Sequence, residues 1–135
     1  MNKSGLALAA LALAGCASFR VGQAPRAGNI VGNWQVVEVN RQALPLLDEY
    51  RIRFVSGLMS ARFGCNAMGG QYRQARAMLH AGSITSTLMG CPEPAATIER
   101  DAGLILAAPM TLSWSGRDQV QLANRAGRIV LRRIP

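Results

Sequence analysis

Histidine occurs once in this chain of 135 residues, at His80, and lysine once, at Lys3. A Ser-His-Asp or Cys-His nucleophilic centre would therefore have to be built on His80, and no Gly-x-Ser-x-Gly elbow is present to expose a serine. Acidic residues are few, seven in all. Asp48 and Glu49 are adjacent and would point apart in any strand, while Glu93, Glu99 and Asp101 straddle an expected helix start, where they favour its dipole. Aromatics make up 5% of the chain, too few to stack bases, which argues against nucleic acid as a partner. No apolar run approaches the roughly 20 residues that a helix needs to cross a bilayer. With these groups missing, the expectation is a protein that is not an enzyme, with no catalytic residues and no cofactor.

What is present begins at the N-terminus. Lys3 is followed by an unbroken run of Leu and Ala from Leu6 to Ala14, then by the small residues Ala14 and Gly15 and by Cys16. Charge, a short apolar stretch and a small-residue cut site are the marks of a secretion signal over residues 1–15. Leu13-Ala14-Gly15-Cys16 resembles the lipobox of bacterial lipoproteins. That resemblance implies a diacylglycerol on the Cys16 thiol and, in many bacteria, a third acyl chain on the new α-amino group. Each buried methylene contributes about 0.8 kcal/mol, so two or three chains anchor a protein that one would hold only marginally. An ordinary cleaved signal with an incidental cysteine is the alternative. Asp after the lipidated cysteine would be the usual signal for retention at the inner membrane. Ala17 stands there instead, so the expected location is the periplasmic side of the outer membrane.

Removal of fifteen residues would leave 120 of the 135, a length for one domain with a modest core. The formal charge of +8 includes Lys3, so the chain from Cys16 onward carries +7, with every basic residue an Arg. Such an excess can face anionic lipid head groups or an acidic envelope component, or simply be a solvated positive surface. The three cysteines divide into one plus two. With Cys16 lipidated, Cys65 and Cys91 remain in an oxidising compartment, where an even pair forms a disulfide worth about 3 to 4 kcal/mol in the chain-entropy model. Metal ligation or a reactive thiol is the alternative.

Residues 16–29 mix Gly22, Pro25 and Gly28 with polar residues and read as a tether whose ends, if flexible, would sit about 20 Å apart. From Ile30 the apolar period becomes two. Ile30 to Asn40 predicts a strand, Tyr50, Ile52 and Phe54 alternate with Arg51 and Arg53, and Leu58 to Phe63 returns after a Ser56-Gly57 turn. Gly64-Cys65-Asn66 and Gly69-Gly70 predict sharp bends. Gln71 to Arg73, Ala77 to Ala81 and Ser83 to Leu88 predict weaker strands. Pro92-Glu93-Pro94 predicts the start of a helix over Ala95 to Ala107, with Ile98, Ala102 and Ile105 on one stripe and Pro109 beyond its end. Met110 to Trp114, Gln119 to Ala123 and Arg128 to Ile134 predict three closing strands. The fold class is mainly β (α+β): a compact curved antiparallel sheet or small barrel with one inserted helix.

Gly32-Asn33-Trp34, Gly64-Cys65-Asn66, Gly70-Gln71-Tyr72 and Thr87-Leu88-Met89-Gly90-Cys91 stand in this order, followed by a helix with Glu99 and a closing hairpin. The pattern is similar to that of the META domain, or HslJ-like, family of heat-shock-associated bacterial lipoproteins, across nearly all of residues 30–134. The resemblance implies a curved antiparallel sheet packed with one helix and an envelope-stress role whose molecular activity is not settled. This chain has Gly90 where the family usually has Ala before the second cysteine, a small-for-small change.

For the motif residues the sequence leaves these readings. Asn66 satisfies local backbone groups or takes a left-handed turn conformation, or it offers an amide to a ligand. Thr87 is a strand hydroxyl paired across the sheet, and Glu99 pairs with an Arg beside it or on the sheet. Met59, Met68, Met78 and Met89 together with His80, Cys65 and Cys91 could select Cu(I), although no Met-x-x-Met cluster occurs and single strand methionines usually fill core gaps. The leading expectation is a non-catalytic module with no metal, held at the membrane by lipid, whose partner is an envelope protein or an anionic envelope component. A Cu(I)-handling protein and a thiol-dependent enzyme are the alternatives.

Overall fold

A computed structural model of the chain describes residues 28–135. The expected signal segment, Cys16 and all but the last two residues of the expected tether lie outside the described residues.

The element order is β1 (Gly32–Val39), β2 (Gln42–Ala43), β3 (Tyr50–Val55), β4 (Leu58–Phe63), β5 (Ala67–Ala75), β6 (Met78–Ala81), β7 (Thr85–Ser86), α1 (Ala95–Leu106), β8 (Met110–Ser115), β9 (Gln119–Asn124) and β10 (Gly127–Arg133). Eight of these strands close into an antiparallel barrel in the order β1-β3-β4-β5-β6-β8-β9-β10, with β10 returning to β1. Short β2 pairs with β1, and β7 with β5. The mainly β, barrel-like architecture with one helix is the one expected.

Alternation drives the closure. In β3, Tyr50, Ile52 and Phe54 are buried while Arg51, Arg53 and Val55 are exposed, and β4 answers with buried Met59, Ala61 and Phe63. The register sets Ile52 opposite Ala61 and Phe54 opposite Met59, so inward residues meet inward residues. A bulge between Val36 and Glu38 lets Val39 point inward as Trp34 and Val36 do. Trp34, Phe54 and Phe63 are each 0% exposed, and burial of a side chain of this kind contributes about 2 to 3 kcal/mol.

One end of the barrel is closed by α1. Its N-terminus is set by Pro94 at the cap and by Glu93, whose Oε2 accepts a hydrogen bond from Thr97 N at 3.1 Å. Ile98, Ala102, Ile105 and Leu106 are buried, and Asn124 Nδ2, at the end of β9, donates to Ile105 O at 2.8 Å. The helix thus spans this end, from the β4–β5 turn to the β9–β10 turn. The opposite end is where the chain enters β1. There Trp34 Nε1 donates to Ile30 O at 2.7 Å, and Gln74 takes Ile30 N and Gly28 O. Gly28, which the expected tether of residues 16–29 includes, packs on the ring of Trp114.

Two local expectations are corrected. Gly69 and Gly70 do not bend the chain; they lie inside the nine-residue β5. A Cβ on Gly70 would stand 2.7 Å from Ser83 O, so this glycine is needed because the chain after β6 crosses over it. Ser83 to Leu88 forms only the two-residue β7, because Thr87 onward leaves the sheet to meet the β4–β5 turn. Cys91 accordingly follows a loop.

Candidate functional site

The motif residues gather at the helix end into a clasp. Gly64 has φ +154°, a region that side chains rarely adopt, and a Cβ there would lie 2.9 Å from Glu99 Oε2 and 3.0 Å from Ala95 Cβ. Glycine thus turns β4 into β5 and admits the first turns of α1 against the bend. Glu99, 7% exposed, is aimed at that bend. Its Oε2 accepts hydrogen bonds from Cys65 N at 3.1 Å and Asn66 N at 3.3 Å. Among the described residues Glu99 has no Arg partner. The expected ion pair is replaced by backbone N–H groups that would otherwise be buried without an acceptor.

Cys65 and Cys91 are joined by a disulfide, with Cα atoms 6.0 Å apart. It ties the β4–β5 turn to the loop before α1. Glu99 Oε2 lies 3.7 Å from the Cys65 sulfur and 2.6 Å from that of Cys91; bonded sulfurs have no proton to donate, so these are packing contacts. The three ligating atoms lie within 4.8 Å of one another, but the sulfur–sulfur bond withholds both thiolates from a metal or an electrophile.

Asn66, 8% exposed, completes the clasp. Its Nδ2 donates to Met89 O at 3.0 Å, and its Oδ1 accepts from Met89 N at 2.7 Å and Thr87 Oγ1 at 2.9 Å. Thr87 Oγ1 in turn accepts from Ala67 N at 3.0 Å. Asn66 therefore satisfies backbone groups, though those of Met89, 23 residues away, and not the local ones expected, whereas Thr87 is a loop hydroxyl and not a strand one. Glu99 Oε2, the Asn66 amide and Thr87 Oγ1 are thus all engaged within the fold. Met89 contributes its backbone, and its side chain is 56% exposed.

The remaining motif residues sit toward the entry end. A Cβ on Gly32 would meet the Arg133 guanidinium at 2.7 Å. Arg133 lies over the Trp34 ring, 4.2 Å from its centroid, and donates to Val31 O at 2.9 Å and Asn29 O at 3.1 Å. Trp34 also packs against Trp114, with centroids 5.8 Å apart, and Tyr72 meets the Phe54 ring edge-on at 4.9 Å. Residue identities alone do not signal the part played by Arg133. Buried Gln35, which donates to Leu47 O and Tyr50 O and so pins the loop before β3, was likewise missed.

The soft-ligand set does not converge. Met59 and Met68 are buried in the core, whereas Met78 and Met89 are exposed and His80 is a half-buried strand residue paired in register with Arg73. On the outside of β1, β3, β4 and β5, an open depression of about 550 Å³ is lined by residues that include Asn33, Arg51, Arg53 and Arg62.

No curated protein matches the sequence. Two solved structures share the fold. The NMR structure of one protein superposes with a TM-score of 0.65 at 17% identity, over 75% of this chain and 87% of that one. The NMR structure of a protein from Burkholderia xenovorans gives 0.61 at 18% identity, over 76% and 81%. The family model described as META domain matches residues 29–133. Spanning the whole barrel and both groups of motif residues, that match means that the chain belongs to the META domain family.

Proposed function

We propose that the chain is the precursor of an outer-membrane lipoprotein whose META domain is a non-catalytic binding or stabilising module on the periplasmic side of the envelope, with a part in envelope stress. The observation that carries the reading is the order Lys3, Leu6 to Ala14, Leu-Ala-Gly and Cys16, which unites a signal segment with a lipidation site. The non-catalytic part is supported by the clasp. Glu99 Oε2 and Asn66 hold backbone groups, Thr87 Oγ1 links Ala67 N to Asn66 Oδ1, and Cys65 and Cys91 are bonded to each other. A disulfide also fits an exported protein better than a cytoplasmic one.

Labelling with a radioactive or clickable palmitate analogue tests the anchor. Wild type should carry label and fractionate with outer-membrane markers, and Cys16→Ser should lose both. An unlabelled wild-type protein, or one that fractionates with inner-membrane markers, overturns the reading. Quantitative thiol labelling of the exported protein tests the non-catalytic part: a free, reactive Cys65 would favour a thiol-dependent enzyme instead.

A further inference from the structure

The arginines are spread along the sequence, but the barrel sorts the charges by end. Strand register places β1 residue 32, the β3–β4, β5–β6 and β8–β9 turns and the end of β10 at the entry end. Six arginines lie there, Arg53, Arg73, Arg76, Arg117, Arg132 and Arg133, against a single acid, Asp118. The helix end holds the other six arginines of the described residues and the other six acids, among them the pairs Arg51–Asp48 and Arg128–Glu38. The described residues therefore owe their entire net positive charge to the entry end. Exposed apolar side chains stand among these arginines: Val31, Val55, Leu58 and Met78, with Leu58 58% exposed. Arg53, Val55 and Leu58 line one open depression of about 500 Å³.

We infer that the entry end of the barrel is a membrane-docking face that rests on anionic lipid head groups. Guanidinium groups pair with lipid phosphates, and the exposed Val and Leu tips reach into the interfacial region beneath them. The chain itself points the same way. Only eleven residues separate Cys16 from Gly28, so an anchor at Cys16 keeps this end within about 40 Å of the lipid even at full extension. The helix end also exposes apolar side chains, including Leu46 and Leu88, but its charges balance, so it has no comparable attraction to an anionic surface. The inference rests on the lipoprotein reading for its biological setting and adds an orientation to it: the clasp, loop 87–91 and α1 face away from the membrane.

The test uses the full chain carrying Cys16→Ser, so that no acyl chain contributes, in co-sedimentation with vesicles of phosphatidylcholine alone or with 30% phosphatidylglycerol. Two charge-matched variants are compared, each replacing four exposed arginines. One combines Arg53→Gln, Arg73→Gln, Arg76→Gln and Arg117→Gln at the entry end. The other combines Arg41→Gln, Arg62→Gln, Arg100→Gln and Arg125→Gln at the helix end. The preference for anionic vesicles should fall about five-fold per arginine removed from the entry end, at least a hundred-fold for all four, and change little in the helix-end variant. Excess salt should release the parent chain, a check that does not depend on how either variant folds. Equal losses in both variants, or no preference for anionic vesicles, would overturn the inference. So would binding to soluble polyphosphate with none to vesicles, which would assign the face to a soluble polyanion. Acyl labelling at Cys16 tests the anchor separately, so either result can fail alone.

Discussion

Glu99 is the residue on which the clasp depends, and its replacement is the sharpest test of the architecture. Glu99→Ala removes the acceptor for Cys65 N and Asn66 N and leaves two N–H groups at a bend that α1 covers. A hydrogen bond to a charged acceptor contributes about 1.5 to 3 kcal/mol net, and an abandoned buried donor carries its desolvation penalty. The expected loss is therefore about 3 to 5 kcal/mol, a large share of the roughly 5 to 15 that a domain of this size holds. Thermal unfolding followed by the fluorescence of Trp34 and Trp114 should show a midpoint lower by roughly 10 to 20 °C. Glu99→Gln keeps an oxygen acceptor and should lose less than half as much. Arg100→Ala, one residue along on the exposed face, should stay within about 0.5 kcal/mol. A Glu99→Ala protein within 0.5 kcal/mol of wild type would refute the argument, because solvent or a relaxed turn would then be serving the two amides.

Replacing Cys65 or Cys91 with Ser should cost about 2 to 5 kcal/mol, since the bridge closes a sequence separation of 26. Intact-mass analysis after alkylation without reductant should find neither thiol labelled, and two labelled thiols would disprove the bond. Gly70→Ala should destabilise the domain by about 1 to 3 kcal/mol in urea denaturation, because the new Cβ meets Ser83 O at 2.7 Å. Gly90→Ala meets nothing within 4 Å and should be neutral or stabilising by up to about 1 kcal/mol. Arg133→Ala should cost about 2 kcal/mol and red-shift tryptophan emission as the segment before β1 detaches, whereas exposed Arg132→Ala should do neither.

Local chemistry was legible along the chain because it repeats at short range. Alternation in Tyr50, Ile52 and Phe54, the Ser56-Gly57 turn, the helix between Pro94 and Pro109, and the last hairpin each depend on residues a few positions apart. Family membership was likewise readable from the spacing of Gly32-x-Trp34, Gly64-Cys65-Asn66 and Thr87 to Cys91, as the match over residues 29–133 shows.

Tertiary structure alone decided the rest, because the interactions concerned join residues far apart in sequence. Closure of the barrel pairs Trp34 with Arg133, and no local pattern specifies that the two edges of a curved sheet meet. Gly69-Gly70 reads as a bend by composition, yet it lies in a strand because a later segment passes close above it. Glu99 looks like a helix-surface partner for arginine, but its helix closes the barrel against two amides 33 and 34 residues earlier. Nor does the sequence show which arginines share an end of the barrel, since Arg125 and Arg128 stand close to Arg132 and Arg133 along the chain yet lie at the opposite end. Only the up-and-down path of the strands gathers the unbalanced ones at the end where the chain enters, since alternate turns of such a barrel fall at the same end.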